Sequence, residues 1–205
     1  PIRLMLEAMK PEMAQQEAGV VSTIVVFGSA RIPDRENAAL RVEECRQALQ
    51  RFPDEPTRMA ELRIAENLLE RSRYYDEARA FGRLVSTTCQ REGKCDYVIV
   101  TGGGPGIMEA ANRGADDVSA KSIGLNITLP HEQAPNPYIT PDLCFQFRYF
   151  AMRKMHFLLR AKALVAFPGG FGTLDELFET LTLIQTRKTR PVPVILMGRE
   201  FWDRL

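Results

Sequence analysis

Apolar residues along this chain fall into short unbroken runs separated by longer stretches of helical spacing. Ser22–Phe27 is β-branched and apolar and closes on Gly28-Ser29, so it predicts a buried strand. Tyr97–Thr101, Ser122–Ile127, Ala163–Phe167 and Val192–Met197 follow the same pattern, and Cys144–Phe147 predicts a shorter extended piece. Between them, spacing and proline breaks predict helices near 36–51, 57–71, 74–91, 107–115, 149–161 and 173–187, with another starting near Glu200. In the 173–187 helix, Leu174, Leu177, Phe178, Leu181 and Ile184 share one face and are expected to be buried. Residues 1–20 show no clear period and read as a loose arm or a short docking helix.

Strands alternating with helices predict right-handed βαβ units, hence an α/β fold. The expected architecture is a doubly wound, mainly parallel, Rossmann-like sheet with helices on both faces. One nucleotide-binding domain would span 1–205, with a helical insertion at 34–72 after the first strand. Leu129–Asp142 contains prolines 130, 135, 137 and 141 and predicts a long ordered loop at a strand exit.

Composition narrows the function classes. Of 205 residues, 27 are basic and 26 acidic, a net charge of +1 that argues against a nucleic-acid or polybasic membrane surface. Cys45, Cys89, Cys95 and Cys144 form no CxxC pair, and the two histidines, His131 and His156, complete no ligand spacing. Four reduced thiols in a cytoplasmic protein, with no metal and no cofactor, is the expectation. No segment reaches transmembrane length, and no charged-then-apolar signal pattern opens the chain at Pro1.

Chemistry concentrates in three glycine turns, each placed after a strand: Gly28-Ser29, Gly102-Gly103-Gly104-Pro105-Gly106, and Gly169-Gly170-Phe171-Gly172-Thr173. In a doubly wound sheet such turns lie at the strands' carboxyl ends and converge on one crevice. Glycines requiring positive φ would explain a turn without any ligand. Before a helix, though, such a turn also frees N–H groups that hold a phosphate. The NAD fingerprint GxGxxG is absent, since position 107 is isoleucine, and no GK[ST] occurs. Glu176 is placed in the first turn of the helix beside the third glycine turn. The preceding helix carries Arg148, Arg153, Lys154 and Arg160 on a largely apolar body. A basic residue there is expected to pair with Glu176 or Glu179, and a bidentate arginine pair would keep the glutamate ionised. Asn112 and Arg113 follow the second turn and are candidates to face a ligand.

FRYFAMRKMHF (147–157), PGGFGTLDE (168–176) and TGGGPGIMEAANRGA (101–115) resemble the LONELY GUY (LOG) family, whose members often carry a lysine decarboxylase label. The insertion and the PNPYITPDL loop (135–143) resemble its longer bacterial subgroup. The resemblance implies a phosphoribohydrolase that cleaves AMP or a cytokinin riboside 5′-monophosphate to free base and ribose 5-phosphate, working as a homodimer or higher homo-oligomer. It also implies Arg153 and Glu176 as catalytic residues and Lys154 as the adjoining basic group. Gly102, Gly103, Gly104, Gly106, Gly169, Gly170, Gly172 and Thr173 would form the nucleotide turns, with Gly28 and Ser29 beside them. Glu109 departs from the short members, which have glycine there. Decarboxylation would need pyridoxal phosphate on a Schiff-base lysine, and no lysine has that setting. A non-catalytic nucleotide sensor or carrier of the same fold is the competing reading.

Overall fold

The structure, a computed structural model, describes residues 2–90, 95–128 and 134–205. Its strands are β1 (Thr23–Phe27), β2 (Val98–Thr101), β3 (Ser122–Ile127), β4 (Cys144–Phe147), β5 (Ala161–Ala166) and β6 (Val194–Leu196). They form one sheet of order β4-β3-β2-β1-β5-β6, and every neighbouring pair is parallel. The expected α/β, doubly wound architecture is therefore present. From β1 the chain moves outward through β2, β3 and β4, then crosses back to place β5 on the other side of β1. The order reverses between β1 and β5, where a parallel sheet opens its ligand crevice.

Residues of alternating parity on each strand serve opposite faces, as a period of two requires. Val25, Val98, Val100, Leu125, Leu164 and Ala166 belong to one cluster with Phe157 and Leu177. Those two residues come from α6 (Phe150–Leu159) and α7 (Phe171–Gln185). Val26, Ile99, Val165 and Phe167 belong to a second cluster with Tyr75, Ala78, Ile107 and Ala111. These come from α4 (Arg73–Cys89) and α5 (Ile107–Asp116). Burial on both faces explains why the strands read as continuous apolar runs rather than alternating ones.

Three features refine the pattern-based expectation. Residues 2–17 form a regular helix, α1, so of the two readings of this segment the loose arm fails and the helix holds. It was illegible because its buried positions are Glu7, Pro11 and Gln15, none of them a large apolar side chain. On α7 only Thr173, Glu176, Leu177 and Thr180 are buried, while Phe178 and Leu181 are exposed and Leu174 and Ile184 only half-buried. That helix gives Leu177 to the sheet's core but otherwise turns polar residues inward, among them Glu176, which meets Arg153. The third is its start, at Phe171 rather than 173. The inserted helices α2 (Arg35–Arg51) and α3 (Pro56–Arg71) pack on each other around a separate small cluster of Val42, Cys45 and Ala65. His131 lies outside the described residues, as does Pro130.

Helices α4 and α5 approach closely because both carry glycine at the contact. A Cβ on Gly82 would meet the Ala111 carbonyl oxygen at 2.3 Å, and one on Gly114 would meet that of Arg79 at 2.1 Å. Both obstacles are backbone, so neither can swing away. Gly114→Ala is expected to destabilise the fold by about 1–3 kcal/mol through overpacking, read as a lowered midpoint in chemical denaturation. An unchanged midpoint would mean that the two helices do not cross this tightly.

Candidate functional site

The three glycine turns meet through the backbone of Ser29. Its N–H donates to Pro168 O at 3.0 Å, and its carbonyl accepts from Ile107 N at 3.1 Å. Phe167 N adds a bond to Phe27 O at 2.8 Å. The expected convergence at the carboxyl ends of β1, β2 and β5 is thus made by main-chain bonds. Close packing dictates glycine at several points. A Cβ on Gly28 would meet Ile107 Cγ2 at 2.5 Å, and one on Gly106 (φ +72°) would meet Ser29 O at 2.4 Å. Gly103 (φ +74°) lies against Asn126, with the amide oxygen 2.3 Å from where a Cβ would sit. Gly103 and Gly106 of the second turn are therefore accounted for by backbone conformation and contact alone.

The third turn is different. Gly170 and Gly172 have no positive φ, and a Cβ on either would meet nothing within 4 Å. Neither conformation nor internal packing calls for glycine there, and Gly172 sits within the first turn of α7, where glycine costs about 1 kcal/mol relative to alanine. What remains is close approach from outside the chain. The α7 ladder begins with Leu174 N donating to Gly170 O. The N–H groups of Phe171, Gly172 and Thr173 lie ahead of it at the positive end of the helix dipole, as in an anion site. Gly169 has an internal reason: the Thr173 hydroxyl lies 2.1 Å from its Cβ position. Thr173 itself is buried.

Arg153 and Glu176 come together beside this turn. Arg153 Nη1 lies 3.4 Å from Glu176 Oε1, with the side chains only 13% and 10% exposed. Arg153 Nε donates to Leu125 O of β3 at 2.6 Å, and the guanidinium stacks over the Phe157 ring at 4.9 Å. A Cβ on Gly102 would meet Arg153 Nη2 at 2.6 Å, so that glycine makes room for the guanidinium at the end of β2. The pair is not the bidentate clamp expected from sequence, because Nε is spent on the strand carbonyl. The expected first-turn position of Glu176 is corrected too: with Gly170 as N-cap it falls in the second turn of α7, beyond the N–H groups a capping carboxylate serves.

The electrostatics follow from burial. Desolvation raises the Glu176 carboxyl from its ordinary 4.5 to about 7, against the opposing pull of Arg153 and Lys154. Desolvation likewise lowers Arg153, with Glu176 acting to raise it. Both shifts run toward neutrality, so burial outweighs the pairing, and the glutamate is not held fully ionised at neutral pH. Lys154 reaches Asp175 Oδ2 at 2.8 Å and Glu179 Oε2 at 2.7 Å instead of Glu176. Burial opposes its charge, but those two carboxylates outweigh it and raise its pKa.

On the opposite side of the second turn, a cavity of about 220 Å³ is lined by Arg31, Asp34, Asn37, Tyr75, Pro105 and Glu109, among others. Tyr75 Oη donates to Glu109 at 2.8 Å, which holds that carboxylate at the cavity wall. Asn112, expected to face a ligand, is fully buried: Thr101 Oγ1 donates to its Oδ1 at 2.7 Å and Asn136 Nδ2 at 3.0 Å. Asn136 also donates to the Gly103 and Gly104 carbonyls, locking the turn from the proline-rich loop. Arg113 stacks over Tyr138 at 5.2 Å. Asn126 and Asn136 carried no sequence signal, since an isolated asparagine in a strand or loop suggests no partner.

Ionising Glu176 costs more in the folded chain than in the unfolded one. With its folded pKa above the unfolded value, this group's contribution to stability is complete below about pH 4.5 and declines as pH rises to about 7. Wild type is expected to lose stability relative to Glu176→Gln over that interval, measured by denaturant midpoints at successive pH values; parallel curves would refute the raised pKa.

Residues 108–205 match the family described as "Possible lysine decarboxylase". Among curated proteins none matches the chain. The solved X-ray structure of TM1055, a Northeast Structural Genomics Consortium target, is 21% identical over 84% of this chain and 72% of its own, with a TM-score of 0.50. The molybdenum cofactor binding protein of the phototrophic bacterium Rippkaea orientalis is 23% identical over 64% of this chain and 72% of its own, with a TM-score of 0.46. At these identities solved structures speak to the fold alone. The family match spans the segment that holds Glu109, Arg153, Lys154 and Glu176, and the fold is shared with the TM1055 structure.

Proposed function

We propose that the chain hydrolyses the N-glycosidic bond of a purine nucleoside 5′-monophosphate, AMP or a cytokinin riboside 5′-monophosphate, to free base and ribose 5-phosphate. The observation that carries this reading is the buried Arg153–Glu176 pair set beside a helix N-terminus whose glycines have no internal reason to be glycine. The 5′-phosphate binds the N–H groups at the start of α7. The sugar then lies toward Glu176, and the second glycine turn borders the ribose or base.

Breaking the C1′–N bond leaves its electron pair on the base and positive charge on the sugar. The ionised Glu176 carboxylate stabilises that charge and orients the water whose oxygen bonds to C1′; the departing base takes up a proton. Arg153 holds Glu176 in place and lowers the cost of its ionisation. A guanidinium is a poor proton donor, so its contribution is electrostatic. Lysine chemistry of the decarboxylase kind has no support near the site: Lys154 is held charged by Asp175 and Glu179, whereas Schiff-base formation needs a neutral amine.

The active unit is a homodimer or higher homo-oligomer on this reading. The exposed sides of α6 and α7 carry Phe150, Met155 and Leu159 and Phe171, Phe178 and Leu181, and Phe171 is 92% exposed. Apolar side chains in that number beside a candidate site support a second copy of the chain as their cover.

Purified protein incubated with AMP, GMP, CMP and N6-prenylated AMP is expected to release free base from a purine monophosphate, followed by chromatography. Glu176→Gln should lower kcat by about 10²–10³-fold, the usual cost of one electrostatic group at a reacting centre. Nucleotide that binds and is never cleaved would make the chain a sensor or carrier instead. Because the ionised carboxylate is the working form, kcat/KM should rise with pH through about 7. A profile falling through that range would assign Glu176 a proton-donating role. Light scattering should give an oligomer for wild type and a smaller species for Phe178→Glu; a monomeric wild type removes the proposed assembly.

A further inference from the structure

Helix α1 grips α6 at both ends. At its entry, the Glu7 carboxylate accepts from Arg148 N at 3.1 Å and from Tyr149 N at 3.2 Å, one oxygen to each. These donors come 141 and 142 residues later in the chain. Along the helix, the His156 ring shares a hydrogen bond with Glu7 O at 2.9 Å. At its exit, Arg160 donates to Val20 O at 2.6 Å and pairs with Glu12 of α1. Lys121 Nζ, which donates to Ala18 O at 2.7 Å, ties the segment after α1 to the chain just before β3.

Glu7 is only 9% exposed, and a carboxylate is buried at a cost unless it is satisfied. Burial disfavours its charge, but Arg3 and the two backbone donors outweigh this and keep it ionised. A negative group at the start of α6 is also favoured by the helix dipole. Arg153 stands one turn further on, and its own N–H bonds Tyr149 O, the residue whose N–H Glu7 holds. No other side chain among the described residues bonds the entry backbone of α6 at both these positions.

We propose that Glu7 is a positioning residue for the site: by capping α6 from α1 it sets the height and rotation of that helix, and so the approach of Arg153 to Glu176. The contact at stake is a single one of 3.4 Å, with no second bond to absorb a displacement. The charged groups facing Glu176 are Arg153 and Lys154 from α6 and Asp175 and Glu179 from its own helix. Arg153 rides on the helix that Glu7 holds, so loosening α6 withdraws it, whereas Lys154 stays tied to Asp175 and Glu179 of α7 by two ion pairs of 2.8 and 2.7 Å.

The test partly rests on the hydrolase reading, so it has an arm that does not. In protein carrying ¹³C-labelled glutamate, the Glu176 carboxyl titration is followed by NMR in wild type, Glu7→Ala, Glu7→Gln, Arg153→Gln and the Glu7→Ala/Arg153→Gln double variant. Glu7→Ala is expected to move the Glu176 midpoint upward, toward its value in Arg153→Gln, and the double variant to lie with Arg153→Gln rather than beyond it. Glu7→Gln keeps the volume and one acceptor oxygen, folds where alanine fails to, and gives a smaller upward shift. Arg3→Ala removes the exposed partner of Glu7 but not the cap, and leaves the midpoint in place.

In the activity arm, Glu7→Ala lowers kcat on the order of 10–10²-fold, the cost of displacing a distant support of a catalytic geometry. The acid limb of its pH profile moves up with the NMR midpoint. An unmoved Glu176 midpoint in both folded Glu7 variants overturns the proposal, as does a double variant whose shift is the sum of the singles. If wild type cleaves no nucleotide while the midpoints shift as described, the hydrolase reading fails and the positioning role stands.

Discussion

Burying one guanidinium organises this end of the molecule. Arg153 touches four separate pieces of chain: the carbonyl of Leu125 in β3, the backbone at Gly102 after β2, Glu176 on α7 and the Phe157 ring on its own helix. Taking such a charge out of water costs several kcal/mol unless its donors are met. Each contact thus constrains a neighbour. Gly102 must lack a side chain, Leu125 must present a carbonyl without a strand partner in its way, and α7 must turn a carboxylate inward. Deleting Glu176 leaves the buried guanidinium without its carboxylate, whereas deleting Arg153 drives Glu176 further toward its neutral form.

This constraint explains where sequence patterns succeeded and where they misled. Strands were legible because burial on both faces of a parallel sheet selects continuous β-branched runs, as in Thr23–Phe27 and Val98–Thr101. Helix α5 was legible because Ile107, Ala110, Ala111 and Ala115 keep helical spacing on a buried stripe. Helices α1 and α7 broke the rule for one shared reason. Glu7 and Gln15 in α1, and Thr173, Glu176 and Thr180 in α7, are polar residues facing inward. A hydrophobic period cannot reveal a face whose purpose is to satisfy buried charge. The glutamate of α7 was still found, through its glycine motif, whereas that of α1 had no motif around it.

The glycines divide along the same line. Gly102, Gly103 and Gly106 of the second turn are explained from within, by positive φ at Gly103 and Gly106 and by the packing of Arg153 on Gly102. Sequence set the third turn apart through Glu176 beside it, but it could not tell which glycines of either cluster serve the chain itself. Only the space around each Cβ separates them, and it leaves Gly170 and Gly172 with no internal account.

Glycines that serve nothing inside the chain, a helix start with open N–H groups and a carboxylate poised near pH 7 make sense as parts of one device. A bound phosphate would supply the missing contacts at Gly170 and Gly172, and its negative charge would lie near the Arg153–Glu176 pair. There it stabilises the positive partner and disfavours the negative one, so binding alone would raise the Glu176 pKa further. Positive charge developing at the sugar acts in the opposite sense and favours the carboxylate. On the proposed hydrolase reading, the site would thereby be better matched to the charge-separated sugar than to the resting nucleotide, the differential binding on which catalysis depends. A helix-capping glutamate in the first turn could not do this, since backbone N–H groups would already hold it ionised. Its place one turn deeper, against a single long arginine contact, leaves its ionisation responsive to what happens at the substrate.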